Sequence, residues 1–485
     1  MSRKRSLGLA FALVLVGATG AKADAQSAAT KGSWTAPFAW PHVTIHTILL
    51  PNGKVLTWER EDAGSLPGEG IAPAVVWNPA NGSFTNVTYS GFDLFCAGHS
   101  FLPDGKLFLA GGRYIDNVGA DETVIFNFAT NAWTPGPKMN AGRWYPTNTT
   151  LPNGEVLIVS GDMSGPKTSD PLPQVRRTNG TLRDLTGALL KMQLYPRMHV
   201  APDGRVFNSS PTKRTRWLDT SGTGKWTLGP ASKFGLRTYG GSVMYEVGKI
   251  LIMGGGNPPT NTAETIDLTA SKPAWKSTAS MQFKRRQLNA TLLADGKVLV
   301  TGGTSAQGFS NGNGAVLASE IWNPSTGNWT TGASMQIPRL YHSTALLLPD
   351  GRVLSTGSGK PASTHDIDRL NGEIYSPPYL FNANGTLAAR PVIGSTPASV
   401  GYGQTFFVGT AQATQISKVS WIRIGSVTHA SNMDQRFQSL AFTKVSGGLN
   451  VTAPANANLS PPGYYLLFIL NGSGVPSVAK FVRIG

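Results

Sequence analysis

The chain has 485 residues, 40% of them hydrophobic and only 14% charged, with 57 glycines, 33 prolines, one cysteine and a formal net charge of +16. One cysteine excludes a disulfide framework, and the lysines and arginines do not gather into runs interleaved with aromatics, which argues against a nucleic-acid groove. The basic balance suits acidic partners such as the glycans of a cell envelope, or is simply a solvated basic surface.

Residues 1–25 read as an export signal. Arg3, Lys4 and Arg5 precede an apolar run, Leu7 to Val16, that is too short to span a bilayer. Ala21-Lys22-Ala23 and Ala23-Asp24-Ala25 are both small-x-small cleavage patterns. No later stretch is apolar for the roughly 20 residues of a membrane helix. The expected location is secreted or periplasmic, with no transmembrane segment.

From residue 33 to about 390 the chain repeats itself. The unit has an apolar strand, a turn that is Asp/Asn-Gly in six of seven cases, a second apolar strand and a Gly-rich end. It reads LLPNGKVLTW at 49–58, FLPDGKLFLAGG at 101–112, TLPNGEVLIVSG at 150–161 and VAPDGRVFNSS at 200–210. It continues as YEVGKILIMGGG at 245–256, LLADGKVLVTGG at 292–303 and LLPDGRVLSTGSG at 347–359. The turn glycines, Gly53, Gly105, Gly154, Gly204, Gly248, Gly296 and Gly351, recur with a period of roughly 50 residues. Small antiparallel sheets at that period, none able to bury both faces alone, fit the blades of a propeller, and seven turns predict seven blades. After Arg390 the signature stops, and the strands of 391–485 suggest an immunoglobulin-like sandwich.

In a blade the strand before the turn is innermost, so its first residues open onto one end of the central channel. The position nine residues before the turn glycine holds Thr44, Cys96, Tyr145, Tyr195, Tyr239 and Gln287 in turn. In the seventh unit it holds His342, with Tyr341 one residue earlier. Four tyrosines and the lone cysteine at one rim make redox or metal chemistry a live reading. Taken singly, Cys96 also reads as a small buried hydrophobe, and each histidine as a hydrogen-bonded rim residue. His99 and His199 fall near the same rim, where substrate contact and a structural role are both open. Arg143, Arg197, Arg237 and Arg339 flank it as candidates for binding substrate oxygens.

The words LFCAG (94–98), RWYPT (143–147), RLYHS (339–343), EIYSPPYLF (373–381) and GSVTHASNMDQRF (425–437) together resemble the copper radical oxidases, the family of galactose oxidase and glyoxal oxidase. The resemblance covers nearly the whole chain after the signal. It implies an all-β fold: a seven-bladed kelch-type propeller over 33–390 and an early-set, galactose-oxidase-type sandwich over 391–485. It implies one copper ion and a protein-derived cofactor, a thioether between Cys96 and Tyr145, with Tyr145 as ligand and radical site. Tyr341 would be the axial ligand and general base, and His342 and His429 the imidazole ligands. The reaction implied is two-electron oxidation of a primary alcohol or hydrated aldehyde, sugar or small molecule, with O2 reduced to H2O2.

One departure stands out. The family often stacks an indole over the cross-linked tyrosine, and the matching position here holds Met163. Trp144 is a substitute, although a residue adjacent on a strand points to the opposite face. The alternative to an enzyme is a non-catalytic kelch propeller that binds glycan or protein at the envelope.

Overall fold

The computed structural model describes residues 27–60, 71–359 and 367–485; the expected signal (1–25) and His365 lie outside them. The described chain is almost entirely β. Its only regular α-helical turn is at 27–31, with three short 3-10 turns elsewhere.

Seven sheets each begin on a buried strand that precedes one of the repeat turns. These strands are His46–Leu49, Gly98–Phe101, Thr147–Thr150, Arg197–Val200, Gly241–Glu246, Asn289–Leu292 and Ser343–Leu347. Each pairs antiparallel with the strand after the turn. The seven turn glycines have φ from 75° to 89°, the left-handed conformation that an Asp/Asn-Gly hairpin requires. In six of the turns the Asp or Asn carboxamide or carboxylate accepts the N–H two residues on, closing the loop locally. The unit at Gly248 has valine there instead.

Neighbouring first strands lie side by side: Gly98–Phe101 against Thr147–Thr150, that against Arg197–Val200, and Gly241–Glu246 against Asn289–Leu292. Asn289–Leu292 lies against Ser343–Leu347, which in turn meets His46–Leu49. The Gly-rich strand ends follow from this crowding. A Cβ at Gly111 or Gly302 would collide with the carbonyl oxygen of Arg143 or Arg339. Ser33–Trp34 and Phe38–Ala39 pair with Asn371–Ser376, tying the N-terminal segment to the last of the seven sheets.

Residues 399–484 form a five-stranded and a three-stranded sheet around a separate core that includes Trp421, Tyr465, Phe406 and Ile416. One piece of this region leaves it. Strand Ser426–Thr428 pairs with His46–Leu49 and carries His429 in among the first strands of the other sheets.

Candidate active site

The position nine residues before the turn glycine proves to be a bend. Cys96, Tyr145, Tyr195, Tyr239, Gln287 and His342 have φ of 64°, 67°, 44°, 55°, 59° and 64°. A side chain in that conformation costs about 1–2 kcal/mol, and six repeats share it. Hydrogen bonds between bends offset the strain. Tyr145 N–H donates to the Cys96 carbonyl and Tyr195 N–H to the Tyr145 carbonyl, each at 3.0 Å, and Gln287 N–H to the Tyr239 carbonyl at 2.8 Å.

This bend overturns the expectation about Trp144. Tyr145 is not in a strand, which begins only at Thr147, so alternation does not apply. The Trp144 indole stacks on the Tyr145 ring with centroids 3.8 Å apart and planes 12° apart. Tyr195 covers the ring as well, at 4.7 Å and 20°. Met163 is half-buried, and its carbonyl accepts the Gly119 N–H. The indole stacked on Tyr145 is therefore that of its neighbour in sequence.

Five side chains singled out by the sequence come together. Cys96 packs with Tyr145 in one buried cluster, and its Sγ lies 3.7 Å from His429 Nε2. The hydroxyls of Tyr145 and Tyr341 are hydrogen-bonded to each other. The His429 ring is 4.5 Å from both Tyr145 and His342, and His342 is 3.8 Å from Tyr341. All five residues are buried.

Hydrogen bonds fix both imidazole tautomers. His342 Nδ1 donates to the Gly359 carbonyl at 2.8 Å, leaving its lone pair on Nε2. The Thr428 hydroxyl donates to the Ile45 carbonyl (3.0 Å), so it accepts from His429 Nδ1 (2.5 Å), and that lone pair also lies on Nε2. Burial, then His342, hold the His429 imidazole well below its usual pKa, so it is neutral and ready to ligate. Burial also pushes the Cys96 thiol and the Tyr145 and Tyr341 phenols well up, reinforced at both phenols by neighbouring acidic groups.

Such a donor set fits copper. Two imidazole Nε2 atoms and two phenols suit a tetragonal N,O ion, and a dication reverses the penalty on ionising the phenols. No group of three His, Cys, Asp or Glu side chains is placed for a metal among the described residues; here phenols complete the set.

Other candidates have different duties. Arg143, Arg237 and Arg339 do not face a ligand. They pair with Asp170, Glu264 and Glu373, and each also donates to the carbonyl of Ser160, Gly254 or Gly357 at 2.8–2.9 Å. Arg285 repeats the device with Glu320 and Gly302. Of the four rim arginines picked out by sequence, only Arg197 lines the cavity that opens beside Tyr145 and Tyr341. His199 bonds to Ser242. His99 belongs to a relay that sequence reasoning missed: Cys96 N–H donates to His46 Nε2 (3.1 Å), His46 Nδ1 to His99 Nε2 (3.0 Å), and His99 Nδ1 to Ser426 Oγ (2.5 Å). Phe309 was missed too; it packs 4.6 Å from Tyr341.

Known proteins give the same outline. The family model "Glyoxal oxidase N-terminus" matches residues 237–379, and "Galactose oxidase-like, Early set domain" matches 390–484. A galactose oxidase of Gibberella zeae is 32% identical over 93% of this chain and 70% of that protein. An aldehyde oxidase GLOX of Vitis pseudoreticulata is 30% identical over 81% of this chain and 82% of its own length. A solved fungal alcohol oxidase of the AA5 family, in complex with copper, superposes with a TM-score of 0.86 at 29% identity, over 93% of this chain and 99% of that one.

Proposed function

Because the chain belongs to the galactose oxidase and glyoxal oxidase family, and so is a copper-dependent alcohol or aldehyde oxidase with a protein-derived cofactor, we propose that Cys96, Tyr145, Tyr341, His342 and His429 are its working residues. The observation that carries the assignment is the convergence of two Nε2 lone pairs, two phenols and the thiol at one buried point.

Tyr145, Tyr341, His342 and His429 would hold the ion. Copper, when bound, supplies one-electron redox cycling and a seat for the substrate oxygen. The chain supplies the rest. Cys96 Sγ bonds to the Tyr145 ring carbon ortho to the hydroxyl, the two displaced hydrogens going to O2. The added sulfur lowers the ring's potential, and the Trp144 and Tyr195 faces shield it, so Tyr145 can store one oxidising equivalent. Tyr341 accepts the substrate hydroxyl proton. Tyr145 takes a hydrogen atom from the carbinol carbon. The balance is RCH2OH plus O2 giving RCHO plus H2O2.

The same reading makes the seven sheets the blades of one propeller over 33–390 and assigns 391–485 to the sandwich. It takes 1–25 as the export signal of a secreted or periplasmic protein, with acidic envelope glycans as electrostatic neighbours. Among the described residues no helix is long and apolar enough to cross a membrane.

The test is intact mass and peroxide. Copper-loaded protein should be two hydrogens lighter than the unprocessed chain, lack a titratable thiol, and make peroxide from a primary alcohol or aldehyde. A thiol that survives copper and oxygen, with no peroxide from any such substrate, sinks the assignment.

A further inference from the structure

Beside Tyr145 and Tyr341 opens a cavity of about 350 Å³. Trp144, Tyr195, Tyr239 and Phe309 add four more rings to its wall, and Leu194 and Pro211 extend the apolar surface. The arginine in its lining is already committed, and so is Arg286 outside the lining. Arg197 lines the cavity, but its guanidinium donates to the carbonyls of Tyr195 (2.7 Å), Gly240 (3.4 Å) and His429 (3.5 Å). Arg286 lies over the Tyr239 ring at 5.2 Å and donates to the Gly308 carbonyl at 2.6 Å. Three neutral polar side chains remain in the lining, those of Asn117, Gln193 and Thr238.

Phe309 is the informative ring. It is 48% exposed, although it packs on Tyr341. Its loop does not leave it free to swing. Gly308 donates its N–H to Asn257 Oδ1 at 3.0 Å, the Ser310 hydroxyl accepts the Tyr341 N–H at 3.4 Å, and Gly308 and Ser310 take φ of 105° and 44°. A large apolar ring is thus held in place, half uncovered, at the cavity.

We infer that the preferred substrate is a one-ring aromatic primary alcohol, of the chemical class of benzyl alcohol. This rests on the oxidase reading above. The ring of such a molecule covers Phe309 and Tyr239 while its carbinol reaches Tyr145 and Tyr341, and a pocket of this size holds it. A pyranose can stack on the same rings. It must also find partners for several hydroxyls, and on the walls only Asn117, Gln193 and Thr238 add neutral polar side chains to the tyrosine hydroxyls. The reaction balances as ArCH2OH plus O2 giving ArCHO plus H2O2.

The experiment is a peroxide-coupled assay of the copper-loaded full chain with benzyl alcohol, galactose and methylglyoxal, in wild type, Phe309→Ala and Phe309→Tyr. The wild type should favour benzyl alcohol over galactose by tenfold or more in kcat/KM. Phe309→Ala should lower the ratio of benzyl alcohol to methylglyoxal by roughly tenfold, and Phe309→Tyr should keep it; a ratio on one protein sample is insensitive to the fraction folded. Calorimetric titration of copper-free protein with benzyl alcohol should show binding that Phe309→Ala weakens. Galactose preferred over benzyl alcohol, or an unchanged ratio in Phe309→Ala, overturns the inference and leaves the oxidase standing. No peroxide from any of the three, with a titratable Cys96 thiol, overturns both.

Discussion

Replacing His46 with phenylalanine should slow formation of the Cys96–Tyr145 thioether by on the order of tenfold. His46 lies flat on Trp58, with centroids 4.4 Å apart and planes 9° apart, and phenylalanine preserves that stack. What it removes is the acceptor for the Cys96 N–H. A buried donor left without a partner costs about 1–3 kcal/mol. Cys96 also stands in the left-handed region at φ 64°, and leaving it regains about 1–2 kcal/mol. Both changes favour a rotated Cys96 backbone, so a preference of that size turned against the posed conformer cuts its population by on the order of tenfold or more. The assay adds copper to metal-free protein in air and follows intact mass and titratable thiol against time. His46→Gln, whose carboxamide oxygen can accept the same N–H, should recover most of the rate. Wild-type cross-linking in His46→Phe, accompanied only by a lower unfolding temperature, would refute the reasoning and reduce the relay to packing.

Thr428→Val should weaken copper binding by roughly 10–100-fold, measured by competition with a chelator, because it releases the partner that holds His429 Nδ1. Glu320→Gln should destabilise the protein by about 3–5 kcal/mol in denaturant unfolding, since it strips the charge from the partner of a fully buried Arg285. Acid should destabilise the fold. Burial drops the pKa of both His99 and His199 to about 3 from an ordinary 6.5. The unfolded chain then binds more protons than the native one between those limits, so stability present above pH 6.5 is lost as pH falls toward 3. Each histidine contributes about 2 kcal/mol of that loss at pH 5, and a pH series of unfolding midpoints should bend downward below 6.5.

How much of this was legible beforehand depended on whether a residue's duty repeated. Six turns announced themselves because Asp/Asn-Gly has one good local conformation, Gly248 completed the period, and the count back from the glycines found the bends that carry Cys96, Tyr145 and His342. The bend conformation itself was not legible, and it is what turned Trp144 onto Tyr145. Strand alternation discounts the Trp144 stack, and it fails at a residue that proves to lie before the strand. The arginines flanking the rim suggested substrate contacts; their partners sit 27 to 35 residues away on other strands for Arg237, Arg285 and Arg339, where no local pattern links them. His46 and His99, 53 residues apart, become a relay only once two sheets and the Ser426–Thr428 strand meet.

The strand that carries His429 has a consequence for how the protein is made. Cys96, Tyr145, Tyr341 and His342 all emerge from the ribosome before Ser426–Thr428, and chains tend to fold from the N-terminus as they appear. Until that strand seats beside His46–Leu49, the site lacks one imidazole and Ser426, the last member of the relay behind Cys96. On the assignment proposed above, the second imidazole arrives only with that strand, so cross-linking of Cys96 to Tyr145 would follow the seating of the C-terminal region rather than precede it.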